Sequence, residues 1–268
     1  MSGTAGAASD MEGEQATMGM ANPCCAHRGA SGLAPENTLA AMKRALDFPF
    51  VEWIELDVQL SKDGVPVVIH DDTVDRTTDR KGRVADFTAK ELQAMDAGSW
   101  FSPEFRGEPV PTLEQVLDLI AGRCKLNIEL KTYGGRYPGL EAAVAGLLRR
   151  RGLIRDAVIT SFDPLALRRV KEAESGIRTG LIIDAAPPGL EQALARIGAT
   201  FLSIGWTRLT AKRMASFRRA GLTVMAWTVD RKASMRKIAA MGEDIIICTN
   251  RPDRYGELRE GRRLAWFG

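Results

Sequence analysis

The sequence has few of the features that mark disulfide-rich, membrane or secreted proteins. Its four cysteines, Cys24, Cys25, Cys124 and Cys248, show no CxxC spacing and lie mostly in apolar runs, so we expect buried, reduced thiols. No apolar run approaches the roughly 18 residues of a membrane helix. The N-terminus carries no basic segment followed by an apolar core, which a secretory signal would have. We therefore predict no integral membrane segment and a cytoplasmic location.

An excess of charge of either sign is also missing. Lys and Arg number 37 against 34 Asp and Glu, which gives a net charge of only +3. A nucleic-acid-binding protein would present a strongly basic face, so we expect no nucleic-acid partner. The chain contains neither GxGxxG nor GxxxxGK[ST], which removes the usual evidence for an open-sheet nucleotide-binding fold. Histidine is scarce, since His27 and His70 are the only two in the chain.

What the sequence does contain is a regular alternation of short apolar runs and amphipathic segments. Residues 1–21 are rich in Gly, Ala, Ser and Met without an apolar period, and we interpret them as a disordered tail. After them come eight predicted strands, each followed by a helical segment. Eight such units in 268 residues favour a closed barrel, which needs about 250 residues. We predict one α/β domain over residues 22–268, a TIM (β/α)8 barrel with a small capping insertion, residues 71–110, after the second strand.

Two carboxylates interrupt the most apolar of these strands. Glu55 and Asp57 lie within the run from Val51 to Leu60, which otherwise reads as buried. Residues two apart on a strand point to the same face, about 7 Å from each other along the backbone. A buried pair of this kind is costly unless a proton or a cation neutralises it. The pattern predicts a hard divalent cation with oxygen ligands.

Further polar residues fall where predicted strands end, and in a barrel these ends form the rim that carries the chemistry. Glu129 closes the next barrel strand, and with Glu55 and Asp57 it is predicted to hold one divalent cation, Mg²⁺ or Ca²⁺. Both histidines lie at the predicted rim, where their ordinary pKa suits them to act as base and acid.

Two cations and two aromatic residues share this predicted rim. Arg28 presents a planar fork suited to phosphate, and Lys131 places a point charge beside it. Phe162 and Trp227 follow two later strands, where each is as well suited to the core as to a substrate wall. Together, the rim residues predict displacement at phosphorus.

Short motifs in this order resemble the glycerophosphodiester phosphodiesterase family. They are His27-Arg28-Gly29, Pro35-Glu36-Asn37-Thr38, Glu55-Leu56-Asp57-Val58, His70-Asp71, Arg76-Thr77-Thr78, Pro111-Thr112-Leu113, Glu129-Leu130-Lys131, Ser161-Phe162 and Ala226-Trp227-Thr228-Val229. The resemblance runs from about residue 22 to residue 252. One position departs from the family pattern, since Asn250 stands where the family usually has Asp.

The resemblance implies a barrel enzyme that hydrolyses glycerophosphodiesters to sn-glycerol 3-phosphate and an alcohol with a divalent cation. His27 and His70 match the family's catalytic histidines, and Glu55, Asp57 and Glu129 match its metal ligands. Arg28 and Lys131 match phosphate contacts, while Glu36 matches a glutamate near the first histidine. The nucleophile is either water or the glycerol 2-hydroxyl group, and the second route passes through a cyclic phosphate.

Two other functions fit parts of the pattern. A lysophospholipase D or sphingomyelinase D-like enzyme would need an apolar groove at the rim, and Trp100, Phe101 and Phe105 in the insertion either form one or pack the insertion down. An inactive phosphodiester-binding barrel would explain Asn250, but the retained histidines and carboxylates argue against it. The sequence leaves the oligomeric state open.

Overall fold

A computed structural model describes residues 19–185 and 187–260 of the chain. Its strands are β1 (Cys24–His27), β2 (Val51–Leu60), β3 (Pro66–Val68), β4 (Lys125–Leu130), β5 (Ala157–Ser161), β6 (Arg178–Ile183), β7 (Phe201–Gly205), β8 (Thr223–Trp227) and β9 (Ile246–Thr249). Its helices are α1 (Leu39–Leu46), α2 (Ala89–Gln93), α3 (Leu113–Ile120), α4 (Leu140–Arg150), α5 (Pro164–Ala173), α6 (Leu190–Arg196), α7 (Ala211–Arg219), α8 (Lys232–Ala239) and α9 (Pro252–Arg259).

Eight of the strands form a closed parallel barrel. Each pairs with the next in the order β1, β2, β4, β5, β6, β7, β8 and β9, and β9 returns to β1. The short β3 lies outside the barrel and pairs antiparallel with the end of β2, where Val58 stands opposite Val68. A helix follows each barrel strand, and an apolar layer fills the space between helices and barrel. The predicted TIM barrel with an insertion after the second strand is confirmed.

Hydroxyl side chains at the N-cap mark the starts of four helices, α1, α2, α3 and α7. The Thr38 hydroxyl accepts a hydrogen bond from the amide of Ala41 and so caps α1. Thr112 and Gln115 form a capping box at the start of α3, in which each side chain bonds the other residue's backbone amide. These local signals fix where the chain leaves the sheet, and therefore which residues remain at strand ends.

The interior of the barrel is filled by a separate apolar cluster below the rim. Its members come from six strands and are Cys25, Trp53, Val158, Phe201, Met225, Ile246 and Cys248. The Trp53 and Phe201 rings, on opposite sides of the barrel, approach to 6.0 Å between centroids. Gly180 allows this, since a Cβ atom there would lie 2.8 Å from Cβ of Phe201. The packed floor restricts ligand space to the rim.

The insertion has a small apolar core of its own. Its members come from β3 and from the chain between β3 and α3, and are Val67, Ile69, Val74, Val84, Ala89, Leu92, Met95, Ala97 and Val110. The rings of Trp100 and Phe101, and of Phe101 and Phe105, stack edge to face, each pair with centroids 5.7 Å apart. These aromatic residues therefore pack on one another within the insertion.

The two ends of the described chain meet at the bottom of the barrel. Most of the predicted tail, residues 1–18, lies outside the described residues, and at its described end the amide of Met20 donates a hydrogen bond to the carbonyl of Leu258. The hydroxyl of Tyr255 donates to the carbonyl of Asn22. Across residues 19–185 and 187–260, no helix combines the length and apolar character needed to cross a membrane.

Candidate active site

Three carboxylates converge at the rim of the barrel. Glu55 and Asp57 lie on β2, and Glu129 lies on β4 directly opposite Asp57 in the parallel register. All three are buried, and one oxygen from each lies within 4.8 Å of the other two. The predicted convergence on one face of the sheet is therefore realised, with the third carboxylate delivered by strand pairing.

Two cationic side chains, those of Arg28 and Lys131, lie among these carboxylates. The Nε atom of Arg28 lies 3.2 Å from Oδ2 of Asp57, and the backbone amide of Arg28 donates to Oε2 of Glu55 at 2.9 Å. Arg28 reaches this position with a left-handed backbone, φ 54°. The Nζ atom of Lys131 lies 3.0 Å from Oδ1 of Asp57 and donates to the Glu129 carboxylate. Asp57 is thus paired with both cations.

The three carboxyl groups differ in the direction of their pKa shifts. Burial raises the pKa of Glu55 well above its usual range, and the neighbouring Asp57 and Glu129 charges raise it further. Burial and Asp57 raise the pKa of Glu129 to about 7, although Lys131 opposes them. Burial also acts to raise the pKa of Asp57, but Lys131 and Arg28 hold it well below its usual range. The two cationic side chains, Arg28 and Lys131, therefore do not fully neutralise the three carboxylates.

The donor set fits a hard divalent cation. Three buried carboxylates supply oxygen ligands, which Mg²⁺ and Ca²⁺ prefer. Oδ1 of Asp57 is buried and accepts no hydrogen bond of good geometry, although Lys131 lies nearby. The raised pKa of both glutamates indicates that further positive charge would stabilise their ionised forms.

His27 stands beside this cluster at the end of β1. Its Nε2 atom lies 3.8 Å from Oε2 of Glu55, and its Nδ1 atom lies 2.7 Å from Oδ1 of Asn250. Burial, together with the charge of Arg28, lowers the pKa of His27 to about 4. The ring is therefore neutral at pH 7 and available to accept a proton.

The side chain of Asn250 is oriented by Asp230. Its Nδ2 atom donates to Oδ2 of Asp230 at 2.8 Å, so Oδ1 faces His27 and accepts from the Ser31 hydroxyl as well. An acceptor at this place requires His27 to carry its proton on Nδ1. Nε2 is then left with a free lone pair. The Asn that departs from the family pattern thus fixes the tautomer and orientation of His27.

An Asn250→Ala variant should lower kcat by about 10- to 100-fold, because a ring without this acceptor is free to reorient and change tautomer. Ser31→Ala is the matched control, since it removes a hydroxyl that bonds this oxygen and the backbone carbonyl of His27 but leaves the Asn250 acceptor in place. Nitrogen NMR of labelled histidine would report the tautomer directly. An unchanged kcat in Asn250→Ala, with His27 still protonated on Nδ1, would show that Asn250 does not position the ring.

His70 is held by a second chain of hydrogen bonds. Its Nδ1 atom lies 2.6 Å from Oδ1 of Asp71, which leaves Nε2 unprotonated in the neutral ring. Hydrogen bonds from Arg76 are the main reason that the pKa of Asp71 falls to about 2. Arg76 also donates twice to Glu36, at 2.8 and 2.9 Å, and Glu36 in turn accepts from Arg28. Burial lowers the pKa of His70.

These side chains surround a pocket of about 130 Å³, which we call the inner pocket. Of the ten predicted site residues, eight line it: His27, Arg28, Glu55, His70, Glu129, Lys131, Phe162 and Trp227. The other two are joined to it through Arg28, which contacts both Asp57 and Glu36. The rings of Phe162 and Trp227 meet edge to face at 6.1 Å and form one wall.

A larger cleft of about 620 Å³ opens beside the inner pocket, and we call it the outer cleft. The two spaces share His70, Glu129, Lys131 and Phe162. Sequence reasoning missed Asp230 and Asn37, and it missed Tyr133 and Leu165 in the lining of the outer cleft. Asn37 donates to Oδ2 of Asp57 at 2.8 Å, and the only sequence signal for it was its place in the motif after Glu36.

The chain is similar in sequence and fold to proteins of one known family. The pattern of the "Glycerophosphoryl diester phosphodiesterase family" matches residues 27–254. A "Glycerophosphodiester phosphodiesterase" of Caldanaerobacter subterraneus subsp. tengcongensis is 38% identical over 237 residues, covering 88% of this chain and 97% of that protein.

Two solved structures are similar over most of the chain. An Oleispira antarctica phosphodiesterase in complex with the product sn-glycerol-3-phosphate aligns with TM-score 0.81 and 30% identity, covering 89% of this chain and 96% of that one. A glycerophosphodiester phosphodiesterase from Agrobacterium tumefaciens aligns with TM-score 0.76 and 35% identity, covering 87% and 98%.

Proposed function

Because the chain belongs to the glycerophosphoryl diester phosphodiesterase family, we propose that it hydrolyses glycerophosphodiesters to sn-glycerol 3-phosphate and an alcohol, by acid–base catalysis beside one divalent cation. One observation carries this proposal. Two carboxylates, two cationic side chains and two histidines line a single inner pocket at the barrel rim, and a third carboxylate, that of Asp57, lies within 4.8 Å of the first two.

The cation is assigned to Glu55, Asp57 and Glu129, whose oxygens are close enough to share one ion. When bound, Mg²⁺ or Ca²⁺ would neutralise charge on the phosphodiester. Arg28 and Lys131 serve as phosphate contacts, because both are charged side chains at the wall of the inner pocket. Their ion pairs with Asp57 hold them in place before substrate binds, so little reorganisation is needed.

The two histidines serve as base and acid. One, unprotonated on Nε2, removes the proton of the nucleophile as its oxygen bonds to phosphorus. The other enters the step as the imidazolium, protonated on both ring nitrogens, and donates its Nε2 proton to the alcohol oxygen as that P–O bond breaks. Both rings are anchored through Nδ1, by Asn250 and by Asp71, so that Nε2 is the exchanging atom in each. The anchoring supports this role, since a catalytic imidazole must hold one tautomer and one orientation.

The insertion, residues 71–110, is proposed to cap the site. Within the insertion, Arg76 donates hydrogen bonds to both Asp71 and Glu36. Asp71 in turn bonds His70, and Glu36 accepts from Arg28. Glu36 then acts through Arg28 and Arg76 and not on the substrate itself.

Trp227 adds a hydrogen-bond donor to the wall of the inner pocket, because its buried Nε1 has no hydrogen-bond partner among the described residues.

The test is release of sn-glycerol 3-phosphate from purified protein. Glycerophosphocholine, glycerophosphoethanolamine and glycerophosphoglycerol would each be incubated with Mg²⁺, with Ca²⁺ or with a chelator. We expect release that requires the cation and stops with the chelator. A folded protein that releases nothing from any diester with either cation would contradict the proposal, and release that continues in chelator would contradict the metal assignment.

A further inference from the structure

The outer cleft is continuous with the inner pocket through the residues assigned to phosphate and proton transfer. His70, Glu129 and Lys131 line both spaces. A diester whose phosphate lies at this shared boundary therefore extends one substituent into each space. The inner pocket, at about 130 Å³, suits a group as small as glycerol, whereas the outer cleft of about 620 Å³ accommodates a much larger alcohol.

The wall of the outer cleft is unusually apolar for an exposed surface. Among residues 19–185 and 187–260, four large hydrophobic side chains are exposed, and three of them line this cleft: Tyr133, Phe162 and Leu165, with exposures of 40%, 49% and 56%. Exposed apolar side chains grouped around a concave surface mark a binding site more often than chance exposure does. The fourth, Trp100, lies in the insertion.

The charges of the outer cleft offer a cationic alcohol no net attraction. Of its two carboxylates, Glu129 is paired with Lys131, and Asp163 accepts the amide of Leu165 at 2.8 Å in its role as helix cap. Lys131 and Arg169 match these two carboxylates in number, and Arg169 also pairs with Glu141 at 3.2 Å. A choline or ethanolamine ammonium would therefore find no excess of negative charge in the lining, where Asp163 is the one carboxylate among the described lining residues without a cation partner.

An aromatic cage for a quaternary ammonium is not assembled here either. The guanidinium of Arg136 already lies 5.6 Å from the centroid of the Tyr133 ring. Phe162 meets Trp227 edge to face, so its nearest ring partner does not face it across the cleft. A cation–π site needs open ring faces around the ammonium.

We propose that the outer cleft binds the alcohol half of the diester and selects an uncharged, apolar alcohol over choline or ethanolamine. This inference rests on the proposed hydrolysis and names its substrate class. It assigns Tyr133, Phe162 and Leu165 to substrate selection, and it places the apolar wall on the loop after β4, the turn after β5 and the start of α5, away from the insertion aromatics.

The experiment compares diesters that share glycerol phosphate and differ only in the alcohol. Ethanol, butanol and hexanol esters form a series of increasing apolar length. Choline is paired with 3,3-dimethylbutanol, in which carbon replaces the quaternary nitrogen, so that shape is kept and charge is removed. We expect kcat/KM to rise about two- to fourfold per methylene group until the cleft is filled, and to favour dimethylbutanol over choline by about tenfold or more.

Leu165→Ser tests the apolar wall of the outer cleft. Trp100→Ser is the matched control, because it removes an exposed large hydrophobic side chain that lies on the insertion. Leu165→Ser should lower kcat/KM for the hexanol ester about tenfold and flatten the length series, whereas Trp100→Ser should keep the wild-type slope. Any of three results would overturn the inference. They are equal kcat/KM for all alcohols, a higher kcat/KM for the choline ester than for its carbon analogue, and the same dependence of kcat/KM on alcohol length in Leu165→Ser as in the wild type.

A binding measurement keeps the inference separate from the proposed function. Calorimetric titration with ethyl phosphate and hexyl phosphate compares the same apolar lengths without turnover. Tighter binding of hexyl phosphate that is lost in Leu165→Ser supports the cleft assignment even in a protein that hydrolyses no diester. Equal affinities in an active enzyme would leave the hydrolysis in place and remove the cleft assignment.

Discussion

In a His27→Ala variant, kcat for glycerophosphodiester hydrolysis should fall by about 10²- to 10⁴-fold, the contribution of one positioned acid or base. His27 is placed for proton transfer, because Asn250 holds Nδ1 and leaves Nε2 at the inner pocket. The loss should appear in kcat with the cation still bound, since His27 is not among the three metal-ligand candidates. Steady-state kinetics with saturating Mg²⁺ or Ca²⁺ measures it.

Calorimetric metal titration of the same variant is the control for an intact site. A His27→Ala/His70→Ala double variant should be little slower than the slower single variant, because residues that act in one step do not contribute additively. Retention of more than a tenth of wild-type kcat in His27→Ala, with normal metal binding, would remove His27 from the acid–base pair.

Glu55→Gln should lower kcat by about 10²-fold or more, as expected when one preorganised electrostatic contact is lost. It should also weaken cation binding. Glu52→Gln is the matched control, because Glu52 lies on the same strand but is exposed. Cation affinity by calorimetry and turnover in excess cation separate the two effects.

The same substitution should have the opposite effect on the stability of the metal-free protein. Burial and two neighbouring carboxylates raise the pKa of Glu55 in the folded state, so its stability contribution is lost as pH rises above the unfolded value of about 4.5. A neutral glutamine avoids this cost and still accepts the amide of Arg28. The melting temperature of metal-free Glu55→Gln at pH 7 should therefore exceed that of wild type. A lower melting temperature in chelator would show that Glu55 is structural.

Local sequence patterns predicted much of this site. The alternation around Glu55 and Asp57 placed both on one face of a buried strand, and the repeated strand–helix units predicted the closed barrel. Parallel pairing of β4 with β2 then brought Glu129 opposite Asp57. These predictions succeeded because each depends on a short-range period or on a topology with few alternatives.

Contacts set by side-chain orientation across the barrel were not predictable in the same way. Asn250 looked like a loss of charge in the sequence, yet it binds His27 because Asp230 fixes which end of its amide faces the ring. Nothing in the local sequence states that Asp230 is within hydrogen-bond reach. Likewise, the sequence offered Trp100 as well as Phe162 for an apolar wall, and only the fold separates them.

The bond between His27 and Asn250 also has a consequence for protein synthesis. The two residues are 223 positions apart, and β9, which completes the barrel beside β1, is the last of the described strands to be made. At about 5–20 residues per second, roughly ten to forty-five seconds separate them on the ribosome. During this time the acidic cluster on β2 and β4 has already emerged while β1 lacks its second strand neighbour. The nascent chain therefore carries an open sheet edge, a target for chaperones or for pairing with another chain, and it gains an oriented histidine only after β9 has been made.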